Sequence, residues 1–558
     1  MSELIQNTHP RPKTESVKPA RAAKPAVKPR GIRQSMSDLH IWTGLLAGWI
    51  LYSMFLTGTV SYFRDEISQY MRPELRATQP MPPAAEVAER IAARVLERTP
   101  GTQQIFITLP TARSPVASAF WRDPKIQGRR GFEQDVFDAT TGQELHARST
   151  EGGDFFYGFH FNLHYMSPLW GRWIAGFCAM FMLVAIVSGV ITHKKIFIDF
   201  FTFRWGKGQR SWLDAHSALS VLGLPFHFII TYSGLITLMV MFMPWGMQTL
   251  QSPVQRQEVT NEMRLYLPAG KPSGESAALY DVADLVRQAE QRWGAGSVGT
   301  VQINNAGDAI SRVAVVRQLS RQVSTIPRYM LFDGHSGKLL KEKESAGAAA
   351  TTQGVVYGLH LGRFADIVVR WLYFLVSLAG TAMVGTGLVL WTVKRRAKLP
   401  DPERPYFGFR LVERLNIASI AGLSVAMTAF LWGNRLLPVE MAQRSQWEIH
   451  LFFIAWGVSL LYALVRPAKR AWVELLWLVA ALLALLPVLN AFTTDRPLWS
   501  SIARGDWVYA GFDCTLLILA LLHATLAVRT ARHTPRRKPQ VQRRVHEPKL
   551  APAGRSHT

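Results

Sequence analysis

Seven histidines in or beside apolar stretches carry the most chemical information in this sequence: His40, His160, His164, His193, His216, His227 and His360. They recur in a pattern. Leu39-His40 stands eighteen residues before Gly58, and Ala215-His216 stands eighteen before Gly234. Tyr157-Gly158-Phe159-His160 is echoed by Tyr357-Gly358-Leu359-His360. A lone imidazole in a membrane helix is most simply explained as hydrogen-bonded to a neighbouring carbonyl. Recurrence at matching places points instead to function, because ionisable side chains at membrane depth are costly. His216 and His227 are eleven residues apart, about three turns, which on an unbroken helix puts them on one face roughly 16 Å apart. His160 and His164 are i,i+4 neighbours, on one face if that segment is helical.

Imidazoles on facing helices at two depths suit two b-type haems, each held by bis-histidine coordination inside a bundle. At one depth His40 and His216 are the ligand candidates, with His193 as a substitute. At the other, His160 or His164 would pair with His360, and His227, nearer mid-bilayer, could serve the outer haem. Zinc competes, but it wants three or four clustered donors, and no HExxH or paired carboxylate accompanies these histidines. The CxxCH attachment signal is absent, so the haem would be non-covalent. Cys178 and Cys514 both lie in apolar runs, which excludes a disulfide framework and a Cys-based iron–sulfur or zinc site. Gly44, Gly48, Gly58, Gly189, Gly234, Gly385 and Gly387 could admit a flat macrocycle, or simply let helices pack closely. Arg172, Arg363 and Arg370 could pair with haem propionates, or snorkel at a helix boundary.

The elements that must position these groups are apolar helices. Of 558 residues 48% are hydrophobic, yet the formal charge is +24, a combination that requires lipid for the apolar runs and water for the basic ones. Eight stretches approach the roughly 20 residues that cross a bilayer: 40–62, 170–192, 216–243, 371–393, 415–433, 447–465, 471–490 and 507–528. Every even-numbered stretch is followed by a basic cluster: Lys194 to Arg210, Lys394 to Lys398, Arg466 to Arg470, and Arg529 to Lys538. Positive-inside bias then puts both termini in the cytoplasm of a bacterial inner membrane. Residues 1–38 carry eight Lys/Arg and 529–558 carry nine. Both read as disordered basic cytoplasmic arms, without need of nucleic acid. The first apolar run leads into Phe63-Arg64-Asp65-Glu66, so it reads as an uncleaved anchor.

Two segments, 64–165 and 244–365, are left for the periplasm. Each shows an amphipathic helix (85–98; 279–293) and then strand-like runs at Gln104 and at Arg312. Each ends in a matching turn, Phe137-Asp138 to Gly142 and Phe332-Asp333 to Gly337. The expected organisation is a polytopic α-helical membrane protein of about eight transmembrane helices with two small periplasmic α+β domains. A first repeat spans 39–193, a cytoplasmic loop 194–212, a second repeat 213–396, and four additional transmembrane helices 397–528. Arg172-Trp173 and Ser188-Gly189 echo Arg370-Trp371 and Thr386-Gly387, which carries the duplication into the second and fourth helices.

Leu39-His40-x-Trp42-x-Gly44-Leu45 with Thr57-Gly58, then Gly171-Arg172-Trp173, resembles the PepSY-associated transmembrane helix family. So do Phe200 to Arg204, Arg210 to His216 and Leu224-Pro-Phe-His227. The resemblance covers about 36–396 and makes the external domains PepSY-like. Members include inner-membrane, haem-containing reductases of ferric siderophores, and the resemblance implies that activity, with a ferric siderophore or other ferric chelate as partner. The chain departs from short four-helix members in its extra helices, whose His450 and His523 are either structural or part of another cofactor or donor site. No GxGxxG follows a strand, so a separate quinol, flavin or protein must donate electrons.

Two other functions compete: a non-enzymatic PepSY-type regulator binding a periplasmic partner, and a transporter built on a parallel repeat. No Pro/Gly-broken helix pair at matching depths marks a transporter's midplane site. The topology is testable by cysteine labelling. A Gly206→Cys variant is expected to resist a membrane-impermeant maleimide in intact cells and to react after permeabilisation; labelling from outside would overturn the orientation.

Overall fold

A computed structural model describes residues 31–76, 80–123, 132–193, 195–264 and 267–534. Most of both basic arms lies outside these residues. Their inner ends are helical, because the first helix begins at Ile32 and the last runs to Arg532.

Seven helices are long and apolar enough to cross a membrane, and a bent pair makes an eighth span. We label them TM1 (Ile32–Val60), TM2 (Pro168–Thr192), TM3 (Gln209–Leu222 with Leu224–Thr237), TM4 (Ile367–Arg396), TM5 (Phe407–Leu436), TM6 (Arg444–Val465), TM7 (Ala468–Thr493) and TM8 (Trp507–Arg532). TM1 rises roughly 43 Å at about 1.5 Å per residue, more than the hydrocarbon core needs, so its first turns project beyond it. This is a multi-pass membrane protein.

TM3 is broken, which the spacing of His216 and His227 does not anticipate. Its halves meet at 69°. Gly223 leaves helical geometry there (φ −103°, ψ 12°), and Pro225 in the first turn of the second half has no N–H to continue the ladder. The two histidines therefore do not share one straight face.

The segments between TM1 and TM2 and between TM3 and TM4 emerge on the same side. They do not form two separate α+β domains. Their strands join into one antiparallel sheet of order β3-β2-β1-β4-β5-β6-β7, with β1 Gln104–Thr108, β2 Ala117–Arg122, β3 Phe132–Phe137, β4 Val298–Asn304, β5 Arg312–Arg317, β6 Tyr329–Asp333 and β7 Leu339–Lys343. The copies meet at β1 and β4, in register from Gln104↔Asn304 to Thr108↔Thr300. Period-2 alternation sends Ile105, Ile107, Val301, Ile303, Val313 and Val315 into one core. Helices Ala84–Arg98 and Val282–Trp293 cover that face, burying Val87, Ile91 and Val95, and Leu285, Val286 and Ala289. Both anticipated turns form: Gly142 and Gly337 take φ 70°, and Asp138 and Asp333 accept backbone N–H groups two and three residues on.

TM5–TM8 form a second bundle docked on TM1 and TM4 and on the first copy's outer loops. At mid-depth Trp49 Nε1 donates to Asn416 Oδ1 at 2.9 Å, and Asn416 Nδ2 donates to the Leu388 carbonyl at 3.0 Å. At the sheet-side end Arg444 and Glu448 pair with no solvent exposure. Thr150 and Asn434 donate to Glu448, while Arg444 donates to the Ser149 carbonyl at 2.9 Å. Removing one partner strands a buried charge and costs about 3–5 kcal/mol, whereas replacing both with apolar groups is nearly neutral. Glu448→Ala is therefore expected to lower the thermal midpoint of the detergent-solubilised protein markedly. The Arg444→Leu/Glu448→Leu double variant should recover most of the loss, and a double variant no better than the single would contradict this account.

Candidate functional site: two histidine pairs in the bundle

The four repeat-related histidines meet in two pairs. The rings of His40 (TM1) and His216 (TM3) have centroids 6.1 Å apart with planes at 67°. Those of His160 and His360 lie 6.2 Å apart at 33°. His160 sits on the helix Gly152–Asn162 that precedes TM2, and His360 on Ala348–Leu361 before TM4. The spacing is chemically specific. A metal–imidazole bond of about 2.0–2.1 Å puts the ring centroid roughly 3.2 Å from the metal, so two trans imidazoles have centroids roughly 6.3 Å apart. A direct ring-to-ring hydrogen bond of about 2.9 Å would draw the centroids to roughly 5.2 Å.

Each imidazole is oriented in the same way. Nδ1 of His40 donates to the Ala185 carbonyl at 2.8 Å and Nδ1 of His216 to that of Met383 at 2.9 Å. Nδ1 of His160 donates to Met54 at 2.6 Å and Nδ1 of His360 to Ile230 at 3.0 Å. The Nδ1–H tautomer leaves Nε2 with its lone pair free for a metal, and a carbonyl beyond the ring is the usual support of a ligating histidine.

The acceptor sites share a short pattern. Four residues after each accepting carbonyl comes a glycine: Gly189, Gly387, Gly58 and Gly234. Just before each glycine stands a hydroxyl, on Ser188, Thr386, Thr57 or Ser233, that also donates to that carbonyl. A Cβ on these glycines would lie 2.7–3.1 Å from the approaching ring. The glycines thus make room for the imidazoles. Of the other three, Gly48 packs on Leu388, Gly385 faces Tyr52, and Gly44 has open space.

The remaining candidates separate. His164 lies past the end of its helix, where Leu163 turns to φ 56°, and it stacks on Phe453 of TM6 at 5.4 Å. It therefore does not share a face with His160. His193 caps TM2, outside either pair. His227 is buried at 1% exposure near Phe55 and Gly380. His450 hydrogen-bonds Tyr165, and His523 bonds the Leu519 carbonyl of its own helix. Among the described residues no group of three or more His, Cys, Asp or Glu gathers together, and each pair offers two imidazoles. That suits a metal whose other donors come with its cofactor, as in haem.

A cavity of about 630 Å³ opens beside the outer pair, lined by both histidines and by Gly58 and Gly234. It lies within the roughly 300–1,000 Å³ range of cofactor and ligand sites. The ends of β1, β4 and β5 form its roof. Arg172 is engaged with Asn162 at 2.8 Å, and Arg370, though in the cavity wall, is held by Glu66 at 2.7 Å. Arg363 also lines the wall.

The family described as the PepSY-associated TM region matches residues 37–394, the stretch that carries both pairs and the whole sheet. The chain belongs to this family. Within this PepSY-associated protein, TM5–TM8 lie beyond the matched region. No curated protein matches the chain.

Proposed function

We propose that this protein is an inner-membrane reductase that passes electrons through two b-type haems to a ferric chelate on the sheet side. The observation that carries the reading is the doubled histidine pair: centroid spacings of 6.1 and 6.2 Å, with every Nδ1 donating to a carbonyl. Haem supplies reversible one-electron chemistry at its iron. The chain's own residues do the rest. His40 with His216, and His160 with His360, would hold the two haems through their Nε2 nitrogens at two depths. On TM1 the levels are marked by His40 and Met54, fourteen residues apart, or roughly 21 Å along the axis.

The outer centre borders the cavity, where Arg363 offers positive charge to propionates or to an anionic chelate. Reduction of ferric to ferrous iron lowers its charge and weakens oxygen-donor chelation, which aids iron release. The family resemblance supplies a ferric siderophore as the substrate class. Basic clusters at the other ends of TM2, TM4, TM6 and TM8 support a cytoplasmic electron entry from a quinol, flavin or protein donor.

Protein purified from a haem-sufficient host should show low-spin b-type Soret and α bands on dithionite reduction, with about two haems per chain. His216→Ala should remove about half the haem and block electron entry. His360→Ala should impair reduction of the external chelate while leaving the inner haem reducible. A colourless, well-folded preparation would instead favour a non-enzymatic regulator. Full haem content and activity in the His40→Ala/His216→Ala/His360→Ala triple variant would refute the ligand assignment.

The glycines provide an independent test. Gly58→Ala puts a methyl 2.7 Å from the His160 ring, whereas Gly44→Ala meets nothing within 4 Å. The first is expected to lower haem content or broaden the outer α band, and the second to leave both unchanged. Equal spectra for the two would refute the cradle.

A further inference from the structure

His227 is the one buried membrane imidazole that neither pair uses. Both ring nitrogens are buried without a hydrogen-bond partner of good geometry, the Leu219 carbonyl making the only backbone approach. A buried polar group in that condition costs free energy and calls for a physical explanation. Its position is informative. On TM3 it precedes Ile230, the outer acceptor, by three residues. Across the bundle its Cε1 lies 2.9 Å from where a Cβ on Gly380 would be, and Gly380 precedes Met383, the inner acceptor, by three residues. His227 thus stands about one helical turn before the Ile230 carbonyl and beside Phe55, the neighbour of Met54, next to the level of the His160–His360 pair.

Duplication provides an internal control. With the 176-residue offset that relates His40 to His216, His227 corresponds to Leu51, which is buried at 3% exposure in an unbroken TM1. Packing at this position is therefore satisfied by leucine. The second copy has an imidazole there and breaks its helix at Gly223, beside the ring.

We infer that His227 takes up a proton when the adjacent centre gains an electron. The inference rests on the haem reading above. A one-electron reductant adds an electron to a centre, and one proton moves from solution to His227, so the buried net charge is unchanged. Oxidation by the chelate reverses both: Fe(III) becomes Fe(II), and the proton leaves. Thr59, Thr231 and Ser377 line the cavity beside the His160–His360 pair, and Thr231 stands one turn after His227 on TM3. The groups packed against the ring are Phe55 of TM1, Gly380 of TM4, and Gly223 and Phe226 of TM3. The nearest charged residues on those helices are distant: Arg64 is nine residues from Phe55, Arg370 ten from Gly380, and Asp214 thirteen from His227. The other titratable groups on or packed against these helices include the paired histidines, Tyr232 on the same half of TM3, Tyr52, Tyr62 and Tyr373, the last with its ring against Phe226 at 5.3 Å.

Potentiometric titration of the full-length protein with dithionite and mediators between pH 6 and 8 tests this. In the wild type the redox equilibrium of at least one centre should shift up to tenfold per pH unit, about 59 mV for a one-electron couple. His227→Leu, which installs the first copy's residue, should bring that shift below twofold with both α bands intact. An unchanged slope in a fully haem-loaded His227→Leu protein overturns the inference and leaves the reductase reading standing. If that variant does not assemble, His227→Gln and dye-reported proton uptake by the wild type decide it; no proton taken up on reduction overturns it. A wild-type protein without haem overturns the reductase reading, and this inference with it.

Discussion

The bundle depends on backbone carbonyls that accept a second hydrogen bond. Within an α-helix, carbonyl i already receives the N–H of residue i+4, yet its oxygen has two lone pairs. A side chain at i+4 would crowd the space beside it. Glycine at i+4 clears that space, and an imidazole from the next helix enters to donate Nδ1–H. Ala185 with Gly189, Met383 with Gly387, Met54 with Gly58 and Ile230 with Gly234 repeat this arrangement. Four such bonds fix which helices touch, at what height, and which tautomer each ring carries. The helix order of the first four spans follows from them: TM1 meets TM2, and TM3 meets TM4, at the inner level, while the two short histidine helices return to TM1 and TM3 at the outer level.

Much of this was legible in the sequence because the signals are local. Apolar runs near twenty residues give the spans, and the eighteen-residue interval from His40 to Gly58, repeated from His216 to Gly234, marks the paired sites. The rings of His40 and His216 lie close together, and of the two candidates His160 and His164 it is His160 that lies beside His360. What escaped the sequence is non-local or lacks a marker. Nothing in Gln104–Thr108 tells it to pair with a strand almost two hundred residues later, so two domains were expected where one sheet stands. His164 leaves its helix through positive φ at Leu163 and Tyr165, neither of them a glycine. The break in TM3 was different: Gly223-Leu-Pro225 is a visible signal, but one present in only one copy.

That inequality between copies runs through the molecule. TM5–TM8 fasten to the first copy's outer loops, through Tyr70 to Asp513 at 2.8 Å and Thr150 to Glu448. Buried charge is concentrated at that junction, where Glu448 accepts from Thr150, Asn434 and Arg444. The second copy instead carries the bent TM3 and the unused imidazole. An ancestral duplication has thus diverged into a copy that is anchored and a copy with an interrupted helix, while the four carbonyl–glycine sites are common to both.

The shared sheet has a mechanical consequence. Five residue pairs join β1 to β4 across the boundary between the halves, so any rocking of one half against the other would have to shear a hydrogen-bonded seam roofing the cavity. Machines that expose a site alternately to each face of a membrane need that freedom of movement. Each histidine pair draws one ring from each half, so a strap across both halves holds the two rings of a pair at a constant separation.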